Sequence, residues 1–154
     1  MGMSLGVTYS SGSGEYEIFG ESRVEALIQQ LRRADLVVGY NVINFDYQVL
    51  MGYTILDLSD LPTLDLMVDV EKRIGHRLKL DDLAQGTLGV GKIAEGIDAI
   101  RWWREGRLME IAEYCCFDVK VTKLVHEYGA AHGELFYTDR SGRKQRVEVD
   151  WTVE

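Results

Sequence analysis

The stretch "LVVGYNVINFDYQVL", residues 36–50, decides how the chain is read. With Asp35 it opens as "DLVVGY", a short valine-rich apolar run of the kind that forms a fully buried strand of a parallel sheet. Asn41 and Asn44 then interrupt the run, and "NFDYQVLMGY" resumes as a short helix with Phe45, Val49 and Leu50 directed inward. Asp46 therefore falls where a buried strand gives way to a helix. Ligand sites of open α/β sheets collect just beyond the C-terminal ends of their strands. The same position also suits a plain helix N-terminal aspartate, held by the helix dipole and by free backbone N–H groups.

Upstream, "MSLGVTYS" and "EYEIFG" flank "SGSG", a strand, turn and strand pattern that predicts a hairpin. In "SRVEALIQQLRRAD" the spacing predicts Ser22 as an N-cap with Glu25 closing a capping box, and Val24, Leu27, Ile28 and Leu31 recur at helical intervals. Downstream, the only proline opens a short strand, "LPTLDLM", and residues 66–90 read as helical with a break at Gly75. Two helices split near Gly106 follow. The second is long, with Leu108, Ile111, Ala112, Cys115, Val119, Thr122 and Val125 as its core-facing stripe. The tail "ELFYTDRSGRKQRVEVDW" predicts a second hairpin with a basic turn. A hairpin, then alternating strands and helices, then late helices predict an α/β layered domain with a mixed sheet.

A chain of 154 residues, 46% hydrophobic and 27% charged, fits one domain with its own core. No apolar run approaches 18 residues and no signal-peptide pattern opens the chain, so no membrane span or secretory leader is expected, and the expected location is cytoplasmic. Cys115 and Cys116 are adjacent within a helical pattern, which disfavours a mutual disulfide; they read as reduced packing residues. A net charge of −8 argues against a protein that coats long stretches of nucleic acid. It leaves room for an enzyme that grips a chain end through divalent cations gathered by carboxylates.

In "EYCCFDV", Tyr114 and Asp118 stand four residues apart, so on a helix they share a face about 5–6 Å apart at Cβ. Asp118 lies at the edge of the apolar stripe and needs solvent or a partner. One such partner is a divalent metal, with Tyr114 holding a water beside it. The alternative is an Asp paired with Arg or Lys one turn away and a Tyr that fills core.

The motifs "NxxxFD" over residues 41–46 and "YxxxD" over residues 114–118, with "PTLDL" and "LKLDDLAQGTLG" in order between them, resemble the DnaQ-like 3′–5′ exonucleases of the ribonuclease H-like superfamily. A tyrosine four residues before the last aspartate is similar to the DEDDy class. The resemblance covers nearly the whole chain. It implies a ribonuclease H-like mixed sheet with flanking helices, residues 1–130 as the exonuclease-type domain and residues 131–154 as a C-terminal hairpin extension. It also implies nucleotide removal from a single-stranded 3′ end by two Mg²⁺ or Mn²⁺ ions about 4 Å apart. Asp46 and Asp118 would be metal ligands, Tyr114 would orient the attacking water, and Asn41 and Asn44 would touch nucleic acid. Asp65 and Asp82 fall in shared segments and are expected to serve packing and helix capping.

The family's first motif, D-x-E on the first and central strand, has no counterpart, since no Asp or Glu precedes Glu15. The resemblance thus implies a fold with its first strand missing, N-terminally truncated, with two metal ligands gone and a seam in the sheet. Two carboxylates would hold at most one ion weakly. Exposed strand edges invite homodimer formation. Elsewhere, "IRWWREGR" sets Trp102 and Arg104 together, either as a stacking and phosphate-binding surface or as core. "DRSGRKQR" would meet phosphates or be a solvated hairpin tip. His76, His126 and His132 lack metal-ligand spacing.

Overall fold

The computed structural model describes residues 5–89 and 104–151. Two compact units interleave along the chain. One comprises Met1–Val37, Val42–Thr63 and Ile93–Lys120; the other comprises Val38–Asn41, Leu64–Lys92 and Val121–Glu154. Helices and strands together make a mixed α/β protein. Among the described residues the strands pair as three separate two-stranded sheets, so the expected single mixed sheet is not formed.

In the first unit, β1 (Leu5–Ser10) and β2 (Glu15–Gly20) form the expected antiparallel hairpin, with Leu5 opposite Gly20 and Ser10 opposite Glu15. Gly14, at φ 70°, closes the reversal by donating its N–H to the Ser10 carbonyl at 2.8 Å. The face carrying Thr8, Glu17 and Phe19 turns to α1 (Val24–Arg33), where Thr8 Oγ1 donates to Gln30 Oε1 at 2.7 Å. Phe19, Leu27, Ile28, Tyr47, Leu50 and Leu58 form the buried core of this unit. Full burial of each aliphatic member contributes about 1.5–3 kcal/mol.

Two local expectations fail here for backbone reasons. Ser22 does not cap α1. The chain enters that helix through a 3₁₀ turn, Glu21–Arg23, in which the Val24 N–H bonds the Glu21 carbonyl and Arg23 takes the N-cap position. The Arg23 guanidinium lies 4.9 Å from the Phe19 ring centre and donates to the Ile18 carbonyl, which fixes that tighter entry. Phe45 is not inward either: it is 48% exposed, whereas Tyr47 is 2% exposed. Residues Val42–Asp46 form a π-helical turn before α2 (Tyr47–Leu50), and this wider turn takes up one more residue than an α-turn. Tyr47 thereby reaches the core and donates its hydroxyl to Thr63 Oγ1 at 2.7 Å, which in turn donates to the Leu61 carbonyl.

β3 (Val37–Gly39) and β4 (Thr63–Asp65) pair with each other. Gly39 is buried, but Val37 and Val38 are only half-buried, less than the apolar run predicts. In the second unit α3 (Leu66–Ile74) ends at Gly75, φ 87°, where the sequence break is expected, and α4 (Leu80–Leu88) ends at Gly89. The long helix α5 (Leu108–His132) carries the chain from the first unit into the second. Ile111, Thr122 and Val125 of its expected stripe are buried; Ala112, Cys115 and Val119 are half-buried, and Val121 joins the buried set.

The tail forms the expected hairpin, β5 (Glu134–Thr138) with β6 (Lys144–Glu148). Helix α4 crosses β5 so closely that a Cβ on Gly86 would sit 2.5 Å from the Phe136 carbonyl oxygen. Next to it, Thr87 Oγ1 donates to the Phe136 carbonyl and accepts its N–H, satisfying both backbone groups. Gly86→Ala is therefore expected to cost about 2–3 kcal/mol through overpacking against main chain. Urea denaturation should show an earlier midpoint with an unchanged slope. Trp151 lies against Gly129 and donates Nε1–H to Asp69 Oδ2 at 2.8 Å, which ties the C-terminal end to α3. Among the described residues no helix is long and apolar enough to cross a membrane.

Candidate functional site

Asp46 closes the π-helical turn and stands before Tyr47 of α2, exposed, and its side chain makes no capping hydrogen bond to that helix. It occupies the N-cap position of α2 without a side-chain cap bond. Tyr114 and Asp118 lie one turn apart on α5, both half-buried, as their spacing predicts. Between them stands Cys115, a free and half-buried cysteine.

That thiol reports on its surroundings. It is pushed up to about 11, first by burial, then by the negative charge of Asp118, by Cys116 and by the negative charge of Asp46. A thiolate is disfavoured both by loss of water and by nearby anions. A carboxylate from the strand-exit turn and one from α5 therefore act on the same sulfur, within one unit. In the same unit, Tyr16, Cys116, Phe117 and Lys120 line a groove of about 430 Å³.

Asn41 has an unusual backbone, φ 62°, the one positive φ outside glycine among the described residues. Asp65 holds it there. That carboxylate, 3% exposed, accepts the Asn41 N–H at 2.8 Å and caps α3 by accepting the Met67 and Val68 N–H groups at 3.1 and 3.5 Å. The capping role expected of Asp65 is met. Asp82 differs: it lies in the first turn of α4, and Lys79 occupies the N-cap position. The Asn41 Oδ1 is buried and accepts no hydrogen bond from any described residue.

Asn41→Gly should leave stability nearly unchanged, because glycine adopts this backbone without strain while loosening the unfolded chain. Asn41→Ala should cost about 1–2 kcal/mol, since its Cβ meets the left-handed penalty without a polar side chain to offset it. Chemical denaturation of the two variants checks the difference.

Tyr40 is a feature the sequence reading missed. Its hydroxyl donates to the Leu78 carbonyl at 2.6 Å, and burial, then Asp65, then Asp82, hold its phenol far above the usual range. Cys115 was also read only as packing; a cysteine between the two motif residues was the available signal. Of the expected nucleic-acid contacts, Asn44 and Arg104 are exposed, and Trp102 lies outside the described residues. Comparison of the chain with family models, with curated proteins and with solved structures returns no match.

Proposed function

We propose that this chain is a metal-dependent 3′–5′ exonuclease-family domain of ribonuclease H-like descent that acts on single-stranded nucleic-acid ends. Its own hydrolysis would be weak, because two of the four carboxylates of that chemistry are not among its residues. The observation that supports the reading is the joint action of Asp46 and Asp118 on Cys115.

Two carboxylates are hard oxygen donors and fit one hydrated Mg²⁺ or Mn²⁺ completed by substrate phosphates; they do not fit a pair of ions. Such an ion supplies charge stabilisation for the phosphoryl oxygens and acidifies a bound water. Asp46 and Asp118 would hold it. Tyr114 would hold a water by its hydroxyl, one turn from Asp118, so that the water is aimed at the terminal phosphodiester. The groove between Tyr16 and Phe117 offers ring faces for bases, and Lys120 a cation for a phosphate.

The test follows mononucleotide release from labelled single-stranded DNA in Mn²⁺. It compares this chain with a form carrying a D-x-E strand fused ahead of Met1. Release by the fused form, abolished by Asp46→Ala, is the expected result. Its absence in both forms would sink the catalytic reading. A second reading, a binding module for nucleic acid or protein without chemistry, is favoured by the lack of any Asp or Glu ahead of Glu15, where the first motif is expected. It requires binding of a 3′ end with no hydrolysis under any metal.

A further inference from the structure

Four of the seventeen Lys and Arg residues of this acidic chain fall within seven consecutive positions, 140–146. They sit at and beside the turn of the C-terminal hairpin, and the turn is rigidly built. The Asp139 carboxylate accepts the Ser141 N–H at 2.9 Å, the Ser141 hydroxyl at 2.6 Å, the Arg143 N–H at 2.9 Å and Gln145 Nε2 at 2.7 Å. The Asp139 N–H returns to the Arg143 carbonyl, and Gly142, at φ 82°, donates to the Asp139 carbonyl.

The Asp139 carboxylate at the tip is thus engaged by the turn itself and has no ion pair among the described residues. Arg140, Arg143 and Lys144 are exposed and have no ion pair among the described residues. Arg146 is different, bridging Glu134 at 3.2 Å and Glu148 at 2.9 Å. Strand alternation buries Leu135, Tyr137 and Val147 and leaves Phe136 on the other face, where Lys144 Nζ lies 4.7 Å from its ring centre. Lys144 thus lies over an aromatic ring, and Arg140 and Arg143 are exposed at the same hairpin turn.

The geometry points to this hairpin tip as a contact for the phosphate backbone of single-stranded nucleic acid. Arg140, Arg143 and Lys144 meet successive phosphates, and Phe136 offers a ring to a base. Guanidinium forks match phosphate oxygens in pairs, and stacking on a ring tolerates any base, so the contact is strong in charge and indifferent to sequence. It rests on the nucleic-acid part of the proposed function and not on the metal site.

The test is fluorescence anisotropy of a labelled twenty-nucleotide oligo-dT with the full chain in EDTA, from about 50 to 200 mM NaCl. The triple variant Arg140→Ala, Arg143→Ala, Lys144→Ala should bind at least about tenfold more weakly, with a salt slope flatter by about two units. Arg146→Ala should stay within about twofold, because its charge is already compensated. All three tip side chains are exposed, so the triple variant should melt near the wild-type temperature. No binding by the wild type, equal binding by the triple variant, or an equal loss in Arg146→Ala would overturn the inference. So would competition by polyglutamate at equal charge, which would make the partner an acidic protein. The assay contains no divalent ion, so failure of hydrolysis in Mn²⁺ would leave this result standing and remove only the metal reading.

Discussion

Replacing Asp65 with alanine is expected to destabilise the protein by about 3 kcal/mol. Its carboxylate is buried and joins two things that otherwise have no reason to stay together, the left-handed Asn41 at the exit of β3 and the first turn of α3. Losing an N-cap of this kind costs about 0.5–2 kcal/mol. Stranding the Asn41 N–H adds about 1–3 kcal/mol. For a chain of this size the melting temperature should fall by about 6–12 °C. Asp65→Asn keeps an acceptor oxygen and should lose much less. The phenol of Tyr40 gives a second readout: removing the Asp65 charge should move its ionisation downward, because a nearby anion opposes formation of the phenolate. A loss below about 1 kcal/mol in Asp65→Ala would show that the anchoring lies elsewhere.

Asp118→Asn carries the largest expected effect on function. If one Mn²⁺ binds the native state and not the unfolded chain, ten times its dissociation constant stabilises by about 1.4 kcal/mol. That corresponds to a melting shift of about 3–6 °C, which Asp118→Asn should abolish. Cys115 supplies a direct readout in a Cys116→Ser background. Its thiol stays protonated to about pH 11 because burial and then Asp118 oppose the thiolate, so alkylation is slow at pH 9. Neutralising Asp118 should lower that midpoint and speed the reaction. Mg²⁺ bound between Asp46 and Asp118 should do the same in the parent protein and nothing further in Asp118→Asn. A Mg²⁺ response that survives in Asp118→Asn would remove this aspartate from the metal site.

Legibility followed the range of the interactions. Both hairpins were readable because their turn residues, "SGSG" and "DRSG", act within a few positions. The end of α3 was readable from Gly75 for the same reason, whereas the helical reading ran to residue 90, one past the Gly89 that ends α4. The four-residue spacing of Tyr114 and Asp118 needed only a helix to place them one turn apart. Less legible was the inward side of residues 45–50, because a π-helical turn passes Phe45 out and Tyr47 in, and no residue type marks such a turn. Ser22 misled because a capping box and a 3₁₀ entry share the same residues; the choice rests on Arg23 meeting Phe19 from another element.

By itself the sequence determined the two hairpins, the end of α3 at Gly75 and the placement of Tyr114 and Asp118 one turn apart on a helix, because each depends on local backbone preference and periodicity. Only the tertiary structure decided that the strands remain in three pairs, that Asp65 locks Asn41, and that Asp46 acts on the same sulfur as Asp118. Each couples residues far apart in the chain, where burial and charge act through space and leave no fixed spacing to read.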